Sequence, residues 1–173
     1  MTLDDIRREY DRLDALCVVD TSSVELVSSN RMKTRLGYCQ YWNNKPSRIV
    51  IAAFMFEMSD EELLDTARHE YAHALVKLRR PRENHGHDAI WRAAAAEVGC
   101  VPRRTCQNKE INEYCKAKRR ESPAKYRVKC VSCGKMWDYK RRGHIISTIL
   151  AHPRARCFSC PKCHGAQFVV ETL

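Results

Sequence analysis

Apolar positions recur along this chain with two different periods, and the changes of period divide it into elements. Leu3, Ile6, Tyr10, Leu13 and Leu16 share one side of a helix over Thr2 to Cys17. Val24 to Ser28, Arg35 to Trp42 and Arg48 to Phe56 are short, rich in β-branched and aromatic residues, and read as strands, with Asn43-Asn44-Lys45-Pro46 as the turn between the last two. Helical spacing returns at Leu63, Ala67, Tyr71, Ala74 and Leu78. Ser59 and Glu62 have capping-box spacing, Met58 and Leu63 stand where a hydrophobic staple would pack, Lys77, Arg79 and Arg80 suit the negative end of the dipole, and Pro81 stops the helix. A second helix, Asp88 to Val98, has Ile90, Trp91, Ala94, Ala95 and Val98 as its apolar face and Gly99 as its stop. Residues 102–123 lack a clear period and end in Ser122-Pro123, which suggests a basic linker with room for one helix. Three short strands follow: Tyr126 to Lys129, Met136 to Tyr139 and Gln167 to Val170. The expected fold class is therefore α+β. A core over 1–101 has an N-terminal helix, a small three-stranded sheet and two helices; a linker over 102–123 joins it to a small β module over 124–173.

The first of those two central helices carries chemistry. His69-Glu70-Tyr71-Ala72-His73 spells H-E-x-x-H. Residues four apart on a helix project from one face, so both imidazoles can reach one metal ion. Glu70 sits on the next flank, where it can act as general base toward a metal-activated water without being a ligand. A catalytic zinc of this kind needs a third protein ligand. Position 79, where a metzincin would place a histidine, is an arginine. The candidates are His87, His85 and Glu97, with His87 favoured because it stands at the start of the next helix.

The cysteines make a second constellation. Cys130-Val131-Ser132-Cys133 and Cys160-Pro161-Lys162-Cys163 are two C-x-x-C knuckles, each followed by a glycine (Gly134, Gly165). Four thiolates so arranged suit one structural zinc ion, and a module of about 50 residues buries too little core to dispense with one. Cys157 offers a second register for the latter knuckle. Two zinc ions per chain are expected, one catalytic and one structural. Cys17, Cys39, Cys100, Cys106 and Cys115 are scattered and take no role, as is usual for small buried thiols in a reducing compartment.

On these residues the chain resembles the SprT-like (Spartan) family of zinc metallopeptidases. Arg31 to Cys39 and Arg48-Ile49-Val50-Ile51 are similar to the family's strands, and the pair His87 and Trp91 matches its third histidine with an aromatic residue four positions later. The cysteine-bearing tail also fits. In the family a glycine follows the third histidine, whereas here Gly86 precedes His87 and Asp88 follows it; a register set on His85-Gly86 would move the ligand to His85. The resemblance implies a zincin-like core with a zinc ribbon, and an endopeptidase acting on DNA-bound or DNA-crosslinked proteins.

Charge supports a nucleic-acid partner. The chain has 31 Lys/Arg against 21 Asp/Glu. Residues 1–99 hold 14 of the basic and 16 of the acidic residues, so the whole positive excess lies in 100–173. Lys125, Arg127, Lys129, Lys140, Arg141, Arg142, Arg154 and Arg156 are the candidate phosphate contacts. Tyr126, Trp137, Tyr139 and Phe158 lie among them and could stack on unpaired bases, which favours DNA with exposed single-stranded regions; Trp137 is the one most expected in a core. Met1 to Tyr10 is charged and has no apolar signal-peptide region, and the apolar run Ile49 to Phe56 is too short to span a bilayer, so an intracellular monomer in cytoplasm, nucleoid or nucleus is expected. The strand Arg48 to Phe56 is the expected sheet edge for an extended substrate. Two other functions fit the same residues: a zinc-ribbon nucleic-acid-binding factor whose first metal site is not catalytic, and a regulatory peptidase that cleaves one repressor without DNA.

Overall fold

The structure, a computed structural model, describes residues 1–173. Helix α1 runs over Leu3–Cys17 and begins with a reciprocal capping box between Thr2 and Asp5. Ile6, Tyr10, Leu13 and Cys17 form its buried face; Leu16 points to solvent, so the buried stripe ends on the cysteine. Strands β1 (Glu25–Ser29), β2 (Gly37–Trp42) and β3 (Lys45–Ala52) make a sheet of order β1-β3-β2, with β1 parallel and β2 antiparallel to β3. Asn43 and Asn44 both take positive φ, 47° and 60°, so the β2–β3 hairpin turns on two residues. Pro46 falls inside β3, beside the irregularity between Gln40 and Tyr41, where a missing N–H is tolerated.

Two expectations change here. The strand expected as the substrate edge, Arg48 to Phe56, lies in the middle of the sheet: β3 is hydrogen-bonded on both sides and ends at Ala52, and Ala53–Glu57 is a 3₁₀ turn. The physical reason lies in its burial, since Ile49 to Ala52 form a continuous buried run, as a central strand covered on both faces requires. The open edge next to the H-E-x-x-H helix is β2.

That helix, α2 (Asp60–Arg79), is buried well beyond a single stripe: Leu63, Thr66, Ala67, Glu70, Tyr71, Ala72, Ala74, Leu75, Val76 and Lys77 all leave solvent. It is the central element, packed against β2 and β3 on one side and α1 and α3 (Ala89–Glu97) on another. Tyr10 donates its hydroxyl to Ala67 O at 2.8 Å, and Tyr71 donates to Asp14 Oδ1 at 2.7 Å, with the two rings 5.1 Å apart, so each buried hydroxyl is satisfied. Ser59 caps α2 by accepting from Glu62 N, but the Glu62 carboxylate accepts from Asn108 Nδ2 rather than completing the box. Asp88 is the N-cap of α3, accepting from Ile90 N and Trp91 N, and Gly99 takes φ 70° just past its end.

Residues 102–123 are more than a linker. They contain α4 (Lys109–Glu121), which buries Ile111 and Cys115 in the main core and stacks Tyr114 on Phe54 at 4.5 Å. The chain accordingly divides into two compact units, Met1–Arg119 and Arg120–Leu173. The helix for which the sequence left room is there, and its period is weak because only Ile111 and Cys115 of it are buried.

The second unit is a sheet of order β5-β4-β6, from β4 (Tyr126–Cys130), β5 (Met136–Tyr139) and β6 (Phe168–Thr172), with a helix α5 (His144–Ala151) not foreseen from sequence. Its core is Val128, Ile146 and Ile149, against which Tyr126, Trp137, Tyr139, Phe158, Phe168 and Val170 pack. No helix of the chain is long and apolar enough to cross a membrane.

Candidate metal centre and cleft

His69 and His73 lie one turn apart on α2, as their spacing requires. The α2–α3 connection brings His87 to them: His87 Nε2 is 3.0 Å from His69 Nε2 and 3.3 Å from His73 Nε2. Ligands on a tetrahedral zinc at about 2.0–2.1 Å stand about 3.3 Å apart, so His87 stands at coordination-shell spacing from each of the other two nitrogens, and all three donor atoms lie within 4.8 Å of one another. All three imidazoles are held below their ordinary pKa, which keeps them neutral and able to donate lone pairs. Burial and the neighbouring His87 push His69 down to about 4; burial and the other two histidines push His73 down to about 3; burial and Arg104 lower His87. The indole of Trp91 packs against all three rings, with centroids 4.6, 5.2 and 4.5 Å from His69, His73 and His87. Its Nε1–H is buried without an acceptor, at a cost of about 1–3 kcal/mol.

The two alternative ligands are engaged elsewhere. His85 places Nδ1 2.7 Å from Asp88 Oδ2 and Nε2 2.9 Å from Glu83 Oε2, so both ring nitrogens already have carboxylate partners. Glu97 takes a two-pronged ion pair from Arg79, at 2.7 and 2.8 Å. Neither belongs to the group of converging donor atoms.

Glu70 stands beside the trio and is 7% exposed. Burial pushes its carboxyl up to about 8, against the Arg35 guanidinium and the Cys39 backbone N–H, which both favour the charged form. Both opposing groups come from the β2 region, which no motif in the sequence ties to the site. Arg35 is fixed by donating Nε to Gly37 O at 2.9 Å and by lying over the Tyr38 ring. Gly37 is the residue that lets the strand approach: a Cβ there would sit 2.9 Å from Glu70 Cγ, 3.0 Å from Glu70 Oε1 and 3.1 Å from Val50 O. A glycine at the head of a strand was the available signal for such a close approach.

The trio and Glu70 line an open cleft of about 570 Å³. Its lining includes the β2 edge with Gly37, Cys39 and Tyr41, and also Arg103 to Asn108 and the start of α4 with Ile111, Asn112 and Cys115. At the far end of α2, Lys77 is 6% exposed and donates Nζ to Glu83 O at 3.0 Å and to Asn84 Oδ1 at 3.3 Å, with the Tyr41 ring centroid 5.6 Å away.

The second donor group is Cys130, Cys133, Cys160 and Cys163. Sγ atoms stand 3.6 Å apart across the two knuckles, in the pairs Cys130–Cys163 and Cys133–Cys160. A disulfide would require about 2.05 Å, whereas thiolates on a tetrahedral zinc at about 2.3 Å stand about 3.8 Å apart. The donor set and spacing therefore fit zinc. The knuckles share one hydrogen-bond pattern: Cys130 N donates to Lys135 O and Cys160 N to Gly165 O, while Gly134 N returns to Cys130 O and His164 N to Cys160 O. The left-handed position of the second knuckle is thus His164, φ 57°, equivalent to Gly134, φ 70°. Gly165 has a different cause, since a Cβ there would meet Ser132 Oγ at 2.5 Å. Cys157 is exposed and outside the group.

Of the basic residues singled out in the tail, Lys125, Lys129, Lys140, Arg141, Arg142, Arg154 and Arg156 are exposed. Arg127 instead forks onto Asp138 at 2.7 and 3.0 Å. Tyr126, Trp137, Tyr139 and Phe158 are half-buried against the small core, so the rings expected as stacking platforms serve packing.

No curated protein matches the chain. A family model described as SprT-like matches residues 4–114. That span runs from α1 into α4 and takes in the helix of His69 and His73, the connection that carries His87 and the strand facing Glu70, and by this match the chain belongs to the SprT-like family and carries its metallopeptidase-type domain.

Proposed function

We propose that the chain is a zinc-dependent endopeptidase acting on proteins held on DNA. The observation that carries the catalytic reading is a buried carboxylate, Glu70, beside three converging imidazoles at the wall of an open cleft. Zinc bound by His69, His73 and His87 would supply Lewis-acid polarisation of a peptide carbonyl and an acidified water. Glu70 takes the water's proton on its carboxylate and passes it to the leaving amine. Burial favours the protonated form that Glu70 must hold between those two transfers, while Arg35 and the Cys39 N–H stabilise the charged form at either end. The open edge of β2 is suited to hold an extended peptide by strand addition, replacing the role first expected of the following strand. A metal site serving structure alone would have no use for a buried base, which argues against the non-catalytic reading.

The DNA reading is supported by charge. The exposed Lys125, Lys129, Arg141, Arg142, Arg154 and Arg156 provide phosphate contacts without base stacking, so the case for single-stranded DNA loses its aromatic support and the case for DNA does not. Glu70→Gln should retain two zinc ions per chain and lose proteolysis by about 10²–10⁴-fold. Cleavage of a DNA-bound test protein, with and without DNA and at two salt concentrations, tests both halves. Wild-type cleavage by Glu70→Gln refutes the mechanism; cleavage indifferent to DNA favours the regulatory-peptidase reading.

A further inference from the structure

We propose that Lys77 is a positioning residue for the third imidazole: its buried ammonium clasps the α2–α3 connection to the metal helix and thereby sets where His87 stands. The inference rests on the reading that His69, His73 and His87 hold a metal. The connection spans residues 80–88, and none of these is buried. Gly86 lies among them with nothing near its Cβ position. Apolar packing reaches this segment only where the His87 ring meets Trp91, and it leaves residues 80–86 without a buried anchor, yet His87 must be placed to within a fraction of an ångström for its nitrogen to complete the shell.

Polar contacts remain. Those of Arg80 with Glu83, of His85 with Glu83 and Asp88, and of Asp88 with the α3 amides act within the connection or on the helix that follows it. Lys77 reaches across. It lies one turn beyond His73 on the same face of α2 and donates to Glu83 O and Asn84 Oδ1, four and three residues before His87. Its partners are neutral, and an apolar side chain of similar length would fill the space without desolvating a charge. What the ammonium adds is directed N–H donors. Tyr41, against which it lies, belongs to the β2 edge of the cleft, so one side chain joins the metal helix, the third-ligand loop and the substrate edge.

The test uses the full chain as wild type, Lys77→Met, Lys77→Arg and Asn84→Ala. Zinc affinity is measured by chelator competition, and cobalt substitution separates the histidine site from the thiolate site by their visible spectra. Lys77→Met should weaken the histidine site by about 10–100-fold, as loss of a supporting partner does, and leave the cysteine site unchanged. Asn84→Ala, at an exposed position, should weaken the histidine site less because Glu83 O still accepts. Lys77→Arg should recover part of the affinity, and at saturating zinc the kcat of Lys77→Met should return toward wild type. Wild-type affinity at the histidine site in Lys77→Met overturns the clasp. So does equal loss at both sites with Asn84→Ala unchanged, which marks general damage to the fold. Should Lys77→Met not fold, Asn84→Ala decides alone: an unchanged histidine site overturns the clasp. A wild-type chain holding only the thiolate-bound ion overturns the metal reading itself, and the wild-type measurement shows this before any variant is compared.

Discussion

Gly37 and Glu70 occupy space that no two ordinary residues could share. The strand carries Arg35 and the Cys39 N–H to the carboxylate because position 37 has no side chain. Gly37→Ala should therefore keep both zinc ions but displace Glu70, lowering kcat/KM by about 10²-fold, the usual cost of misplacing a reacting group by an ångström. Steady-state kinetics beside zinc analysis check this, and an alanine variant at full rate would mean that Glu70 has room to spare. At this scale His69, Glu70 and His73 were legible because helix geometry places residues four apart on one face. His87 and His85 were not separable by spacing, since a loop permits either to turn inward. Their separation follows from Glu83 and Asp88, whose carboxylates occupy both nitrogens of His85.

Element ends show a different balance. Helix α1 closes on Val18, which adopts φ 54° and is 89% exposed. A β-branched residue is strained in the left-handed region, and its exposed side chain gains little in return. Val18→Gly should raise stability by about 1 kcal/mol, read as an increased denaturant midpoint without a change in slope. Helix α4 gives the opposite case. Its Ile111 is 1% exposed, although it falls in a stretch whose sequence has no clear period. Ile111→Ala should cost about 2–5 kcal/mol in the first unit, measurable by chemical denaturation, whereas a true linker position would change almost nothing. Hydrophobic period reveals a helix only when its buried face is wide, and α4 buries two residues.

For the molecule as a whole, two units imply two separable losses. Cys130→Ser should reduce the zinc content from two ions to one and unfold residues 120–173, with the histidine-bound ion retained, as elemental analysis and proteolytic mapping would reveal. A chain ending at Glu121 should keep α4, the cleft and one zinc, and lose DNA affinity. Reversal of Lys140, Arg141 and Arg142 to glutamate in the full chain should weaken DNA binding and flatten its salt dependence, because fewer counterions are released. Labelled-DNA titrations at two ionic strengths check both. Undiminished binding by the chain ending at Glu121 would make the basic tail a solvated surface only. Truncation near residue 105 is a poorer test, since it removes Ile111, Cys115 and Tyr114 from the core.

Sequence alone determined what is local: the α+β class, the H-E-x-x-H helix with its Ser59 cap, the two cysteine knuckles and the concentration of positive charge in the C-terminal part. In each case covalent spacing or composition already carries the physical requirement, whether one helical turn between imidazoles or two residues between thiols. Tertiary structure decided what depends on competition between locally equivalent choices. It put β3 inside the sheet and left β2 as the edge, folded α4 onto the core, turned His87 rather than His85 toward α2, and directed the aromatic residues of the second unit inward. Strand order follows from which face can be covered. Loop orientation follows from which polar partner is within reach. Both are properties of neighbours distant in sequence, and no spacing along the chain records them.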